Sequence, residues 1–318
     1  MRRRILMRAM AFAMVCGMAG CGDATPEPEP SPNGAEAAPP PERVVERIYE
    51  RSFAFVAELG DSLLLVPWIM NHQARPDSVL RNVAGWLSRG GTWEPFYRER
   101  WSTPATRSPE RILPYGTLSI VVRDGDLVDG LVYQDGPRSL EIVMGEVLAA
   151  WVGPGGETFD LLEGAAYLSE ERIDGTVVEV SRSWTPSEQP AGDWAFLVSG
   201  DSARVVMAGN VEHGVDTEPV YRVWAQRGAQ DLVWPEVEVD WSERQAFPPA
   251  RRDVPTTWSI SSPDGTLSGT LRSVTSEMEA GEASGPLLPV LALVEVEGVL
   301  EARGSAIPVR GILVHQRR

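Results

Sequence analysis

LSIVVRDGDLVDGLVYQDGPRSLEIVM, residues 118 to 144, decides the fold class. Three apolar runs, Leu118–Val122, Leu127–Tyr133 and Leu140–Met144, are separated by Asp124-Gly125-Asp126 and Asp135-Gly136. Asp-Gly pairs supply the positive-φ residues that tight hairpin turns require, so the stretch reads as a chain of hairpins. The same texture continues downstream. Turn signals recur at Pro154-Gly155-Gly156, Asp174-Gly175, Ser199-Gly200-Asp201, Pro263-Asp264-Gly265 and Arg303-Gly304-Ser305. Between them the residues alternate: Val237, Val239 and Trp241 against Glu236, Glu238 and Asp240, and Trp258 and Ile260 against Thr257 and Ser259. Such alternation marks strands with one buried face. A dozen or more strands in an antiparallel meander are expected, suited to barrels or stacked sheets. No long helical pattern interrupts them, which argues against a parallel βαβ sheet.

Upstream the pattern differs. Val44, Val45, Ile48, Tyr49, Phe53 and Val56 fall at three- and four-residue spacing, which predicts a short helix. A second helix is predicted from Asp77 as N-cap, through Val79, Leu80, Val83, Trp86 and Leu87, to Gly90-Gly91. Between the two, Ser62–Met70 reads as a strand despite Pro67.

The first residues carry an address. Arg2, Arg3, Arg4 and Arg8 precede a mostly apolar run that ends at Met18-Ala19-Gly20-Cys21. This is the order of a secretory signal, and the run is too short to span a bilayer, which takes about 20 apolar residues. The small residues before Cys21 resemble the lipobox of bacterial lipoproteins, with Met18 where Leu is usual. The resemblance implies a signal peptide over 1–20 and acylation of Cys21, which makes the membrane a partner through the lipid. In lipoprotein sorting of the enterobacterial type an inner-membrane retention Asp directly follows the cysteine; Gly22 stands there, so the resemblance implies the outer membrane, facing periplasm or surface. Residues 22–42, GDATPEPEPSPNGAEAAPPPE, read as a disordered tether rich in Pro, Glu and Ala.

Composition narrows the function. The chain has 29 basic and 45 acidic residues; removing four arginines with the signal leaves 25 − 45 = −20. That balance argues against nucleic-acid binding, which uses basic patches. Every basic residue is Arg, so lysine chemistry is excluded. Of the 2 cysteines, Cys16 leaves with the signal and Cys21 is acylated, so neither a disulfide nor a thiol nucleophile is expected. The expected organisation is a unit over 43–183 with a helical start, the Pro- and Gly-containing segment 184–192 as boundary, and a β unit over 193–318.

Catalytic and metal signals are sparse. Gly60-Asp61-Ser62-Leu63 spells the opening block of GDSL hydrolases, but no Asp-x-x-His accompanies it: Ile69, Asn210 and Ile312 stand three residues before His72, His213 and His315. A turn with a side-chain hydrogen bond accounts for the block. The three histidines are not at metal-ligand spacing, so no metal and no cofactor are expected. The 11 tryptophans are spread over the chain and suit either core filling or a ligand cavity. The densest mixture of aromatics and charge is residues 92–101, TWEPFYRERW. Trp93, Arg98 and Trp101, with His72, are the candidate pocket.

The C-terminal third carries a resemblance. Pro255-Thr256-Thr257-Trp258-Ser259-Ile260, then Ser262-Pro263-Asp264-Gly265, looks like a strand entry. Val296–Glu301, Gly304 and Pro308-Val309-Arg310-Gly311 look like a closing hairpin. Both resemble the tandem lipocalin-like proteins of the carotenoid hydratase and AttH type. The closing strand runs on as Ile312-Leu313-Val314-His315, where that family has Gly-Tyr-x-Glu. The resemblance implies two lipocalin-like barrels or sheets and an apolar ligand; no catalytic residue is carried over. The expected function is a membrane-tethered protein that binds an apolar or amphipathic small molecule in a barrel or cleft. The alternatives are a structural or protein-interaction lipoprotein and a hydratase- or hydrolase-type enzyme.

Overall fold

A computed structural model of the chain describes residues 46–123, 127–185, 193–200, 203–210, 220–282 and 285–317. The expected signal segment, Cys21, the linker and His213 lie outside them. Residues 43–318 form one compact unit. Its strands are β1 (Arg47–Leu59), β2 (Ser62–Ala74), β3 (Ser78–Arg89), β4 (Thr92–Pro104), β5 (Leu118–Arg123), β6 (Leu127–Asp135), β7 (Arg138–Val152), β8 (Thr158–Leu168), β9 (Glu171–Trp184), β10 (Trp194–Ser199), β11 (Ala203–Asn210), β12 (Val220–Arg227), β13 (Gln230–Phe247), β14 (Arg252–Ser261), β15 (Leu267–Ala280), β16 (Val290–Ala302) and β17 (Ser305–Arg317). A 3-10 turn at Pro248–Ala250 is the one helical element among the described residues.

The strands form two antiparallel sheets. The first has nine strands in the order β4-β3-β2-β1-β9-β8-β7-β6-β5 and curls into a half-barrel. The second, β10 to β17, closes on itself as an eight-stranded barrel, β10 pairing with β17. The fold is thus the mostly-β antiparallel meander expected from the hairpin run.

The two predicted helices are strands, β1 and β3. The reason is burial on both faces. In β1, Phe53, Phe55 and Ala57 enter the core on the concave side, while Ala54 and Val56 pack on the opposite side. In β3, Val83 faces the concave side, and Ala84 and Trp86 face outward into a second core. Apolar residues on both faces break strict alternation and fall by chance at helical spacing. The Ser62–Met70 strand is present and extends to Ala74. Pro67 is accommodated by a gap in the β2–β3 ladder, where pairing stops at Leu65 and resumes at Trp68.

Three cores result. One fills the barrel, with Leu197, Val223, Trp258, Leu271, Val294 and Leu313 among its members. One lines the concave side of the half-barrel, around Phe53, Trp68, Leu131 and Val177. The third joins the sheets: Leu65, Trp86, Phe159 and Val180 meet Phe196, Trp224, Leu293 and Ile312 on the outside of the barrel. Phe196 is fully buried at this junction. Phe196→Ala is expected to lower stability by about 3–5 kcal/mol, read from the midpoint of chemical denaturation; a change below about 1 kcal/mol would mean that the junction is not a packed core.

Candidate functional site

The nine-stranded sheet is open. Its edges are β4 and β5, which are consecutive in the chain but not paired. An unpaired edge must be blunted or covered. Glu94, Arg98, Glu99 and Arg100 place exposed charge on β4. The 13 residues 105–117, between β4 and β5, form a strap across the concave mouth. A connection of this length without a strand or helix of its own is uncommon in a compact fold and is usually a lid or binding loop.

Several side chains hold the strap. Ile112 is buried among the concave core residues, worth about 1.5–3 kcal/mol. Tyr115 stacks on Trp101 of β4, with ring centroids 4.4 Å apart and planes 7° from parallel. The Tyr97 hydroxyl donates to the Tyr115 carbonyl at 2.7 Å. Arg81 of β3, only 1% exposed, donates to the Arg111 carbonyl and to Thr103 Oγ1. Burial pushes the Tyr97 phenol well up, helped by the nearby Glu99 and Tyr115. It therefore stays a proton donor at physiological pH.

Beneath the strap lies a nest of rings. Trp68 meets Phe96 edge-on at 4.9 Å and Tyr97 at 5.5 Å. Tyr133 of β6 meets Phe96 at 5.0 Å and Tyr97 at 6.3 Å, so β4 and β6 touch across the mouth. Gly85 makes the close packing possible: a Cβ there would sit 2.8 Å from Phe96 and 2.9 Å from Trp68. The indole Nε1–H of Trp68 is buried and has no acceptor among the described residues. A buried donor without a partner costs free energy that a ligand acceptor would return.

The chain has the fold of the AttH proteins. A protein of Nitrosomonas europaea assigned as AttH superposes with a TM-score of 0.55, over 85% of this chain and 92% of that chain, at 11% identity. Kievitone hydratase from Nectria haematococca superposes with a TM-score of 0.52, over 86% of this chain and 89% of that chain, at 13% identity. The likeness is one of backbone architecture. No protein-family model matches the chain, and no curated protein matches it in sequence.

The four sequence-derived pocket residues do not form one cluster. A bulge in the β3–β4 pairing makes Phe96 an extra residue, which shifts the alternation so that Trp93 faces the opposite side from Tyr97 and Trp101. Trp101 packs on the concave core, beside the strap. Trp93 packs against the junction with the barrel. Arg98 is also on that side: it pairs with Glu279 of β15 and lies over Trp86. His72 is buried on the concave side, with Nδ1 3.3 Å from the Arg81 guanidinium. Trp68, Phe96, Tyr97, Tyr133 and Tyr115 complete the concave site. Phe96 and Tyr97 lay within the segment singled out from sequence; Tyr133 and Tyr115 carried no signal except their hairpin and loop positions. Ser62 donates to the Leu59 carbonyl at 3.1 Å in the two-residue β1–β2 turn, so the GDSL-like block is a hairpin.

A second polar group lies at one end of the barrel. Asp193, just before β10, faces His315 of β17, with Oδ1 2.7 Å from Nδ1. Both are at most 2% exposed, and His315 Nε2 has no partner among the described residues. Gly209 opposite Tyr221 leaves room for the phenol ring, which a Cβ would approach to 2.4 Å. Burial, then the Asp193 charge, pushes the Tyr221 phenol well up. The pair extends the β10–β17 seam by one row, since Trp194 pairs with Val314.

His72 gives the strap a pH dependence. Burial, then the Arg81 charge, lowers its pKa to about 4, while the carbonyls of Glu110 and Pro109 pull the other way. A histidine with a lowered folded pKa binds fewer protons folded than unfolded, so stability rises with pH across the interval. Its contribution is full above the unfolded value near 6.5 and is lost as pH falls towards 4, an effect of about 3 kcal/mol. His72→Gln should flatten the stability-versus-pH curve between pH 4 and 6.5 relative to the parent. An unchanged slope would place His72 outside this linkage.

Proposed function

We propose that the protein binds a flat, largely apolar small molecule on the concave face of its half-barrel, admitted when the strap lifts, and that the lipid on Cys21 tethers it to the membrane from which such a molecule partitions. The single observation that carries this reading is the strap itself: 13 residues that plug an aromatic nest with one apolar side chain, Ile112, in place of a β4–β5 pairing. Displacing Ile112 exchanges one apolar occupant for another, so apolar ligand area replaces buried protein area at about 25 cal/mol per Å². Trp68 Nε1–H fixes orientation by donating to an acceptor on the ligand. The strap contacts are individually weak, and local opening draws on them without unfolding the sheet.

The test is a titration of residues 43–318 with N-phenyl-1-naphthylamine, a flat apolar fluorophore, followed by dye emission and quenching of tryptophan. The expected result is saturable binding, with the association rate raised about fivefold by Tyr115→Ala, since losing a stacked pair worth about 1 kcal/mol favours the open strap. Gly85→Val, which drives a side chain into Trp68 and Phe96, should abolish binding. Absence of saturable binding, or an association rate indifferent to Tyr115→Ala, would sink the reading.

A further inference from the structure

The outer wall of the barrel is dented. A groove of about 1050 Å³ runs over β15, β16, β17 and β10, beside the β1–β2 turn. Three glycines lie in or beside its floor. Gly269, Gly298 and Gly311 stand on the rows that face the barrel interior, between inward residues such as Leu271, Leu300 and Val309. A Cβ at these positions would come within 2.5 Å of the Val299 carbonyl oxygen, 2.0 Å of that of Thr270 and 2.1 Å of that of Phe196. With no side chain on the inner face, neighbouring strands approach closely there and the barrel wall bends sharply beside the groove.

The groove has an ordered charge pattern. Arg272, Glu297 and Arg310 are directly opposite one another on β15, β16 and β17, and Val198 of β10 follows in the same row. Arg310 is occupied: it donates to Glu58 Oε1 at 2.8 Å and to the Gly60 carbonyl at 2.6 Å. Arg272 and Glu297 form no ion pair although they are opposed, and Glu301, two rows along β16, has no polar partner among the described residues. Val299, 48% exposed, and Pro308 lie between the charged rows. Among the described residues the groove therefore offers one cation and two anions without an ion-pair partner, and an apolar strip.

We propose that this groove binds a zwitterionic amphiphile, its phosphate or carboxylate on Arg272, its ammonium between Glu297 and Glu301, and its chain along Val198, Val299 and Pro308. A purely anionic ligand would meet two carboxylates and a chain whose formal net charge is −16. A purely cationic one would leave Arg272 desolvated and unpaired. A ligand carrying both signs answers both, and charge-assisted hydrogen bonds are about twice as strong as neutral ones. The same head chemistry occurs in membrane phospholipids and in free zwitterions, and the test separates the two.

The purified protein is titrated calorimetrically with dihexanoyl phosphatidylethanolamine below its micellar concentration, with dihexanoyl phosphatidylglycerol and with phosphoethanolamine. The expected result is saturable binding of the ethanolamine lipid, about tenfold weaker binding of the glycerol lipid, and a loss of about tenfold or more in Arg272→Glu and in Glu297→Gln. These side chains are exposed, so both variants fold; Thr270→Trp, which fills the groove, serves as an independent block. Phosphoethanolamine binding as tightly as the lipid would keep the site and assign it to a free zwitterion. Equal affinity for the two lipids, or affinity untouched by Arg272→Glu and Thr270→Trp, overturns the proposal.

Discussion

Burial of both faces of β1, β2 and β9 is the constraint on which the rest of the molecule depends. Their concave faces build the half-barrel core through Phe53, Trp68 and Val177; their outer faces build the junction through Val56, Leu65 and Val180. The barrel supplies the other half of that junction from residues on its outside, Phe196, Trp224 and Ile312. An isolated barrel would leave those side chains in water, and an isolated sheet would expose Trp86 and Phe159. Apolar area at about 25 cal/mol per Å² therefore ties the two sheets into one unit. The same bookkeeping leaves the far edges, β4 and β5, without a partner, and there the chain uses a strap instead of a ladder.

The architecture was legible where one face met solvent. The alternation in β13 and β14 and the Asp-Gly turns around β6 read directly as strands and hairpins. It failed where both faces were buried. In β1 and β3, apolar residues on successive positions produced three- and four-residue spacing, and local pattern carries no information about what packs on the second face. The meander order followed from short connections, but closure of one sheet and not the other depends on long-range pairing that no local signal encodes.

The site was legible in part and for a specific reason. TWEPFYRERW was conspicuous for aromatics and charge, and half of it does line the concave mouth. The β-bulge at Phe96 sends Trp93 to the junction, away from Tyr97 and Trp101, while Arg98 goes there by ordinary alternation, and a single extra residue in a strand cannot be seen without its partner strand. His72 stood out as a histidine after an apolar run; that it meets Arg81 and the strap carbonyls required the fold. Tyr115 and Ile112 were hidden because a loop sequence, ATRSPERILPYGT, does not say what it covers. The three closely packed glycines of the barrel wall were equally silent, each reading alone as a weak spot in a strand.

The half-barrel is shut by a strap that opens without unfolding the sheet. Amide hydrogen exchange resolved over residues 105–117 and over β1 and β2 tests it most directly. Strap amides are expected to exchange orders of magnitude faster than those of Phe53–Val56 and Leu63–Val66, and a saturating apolar ligand to slow the strap alone. Exchange of strap and core at one common rate, set by global unfolding, would contradict it.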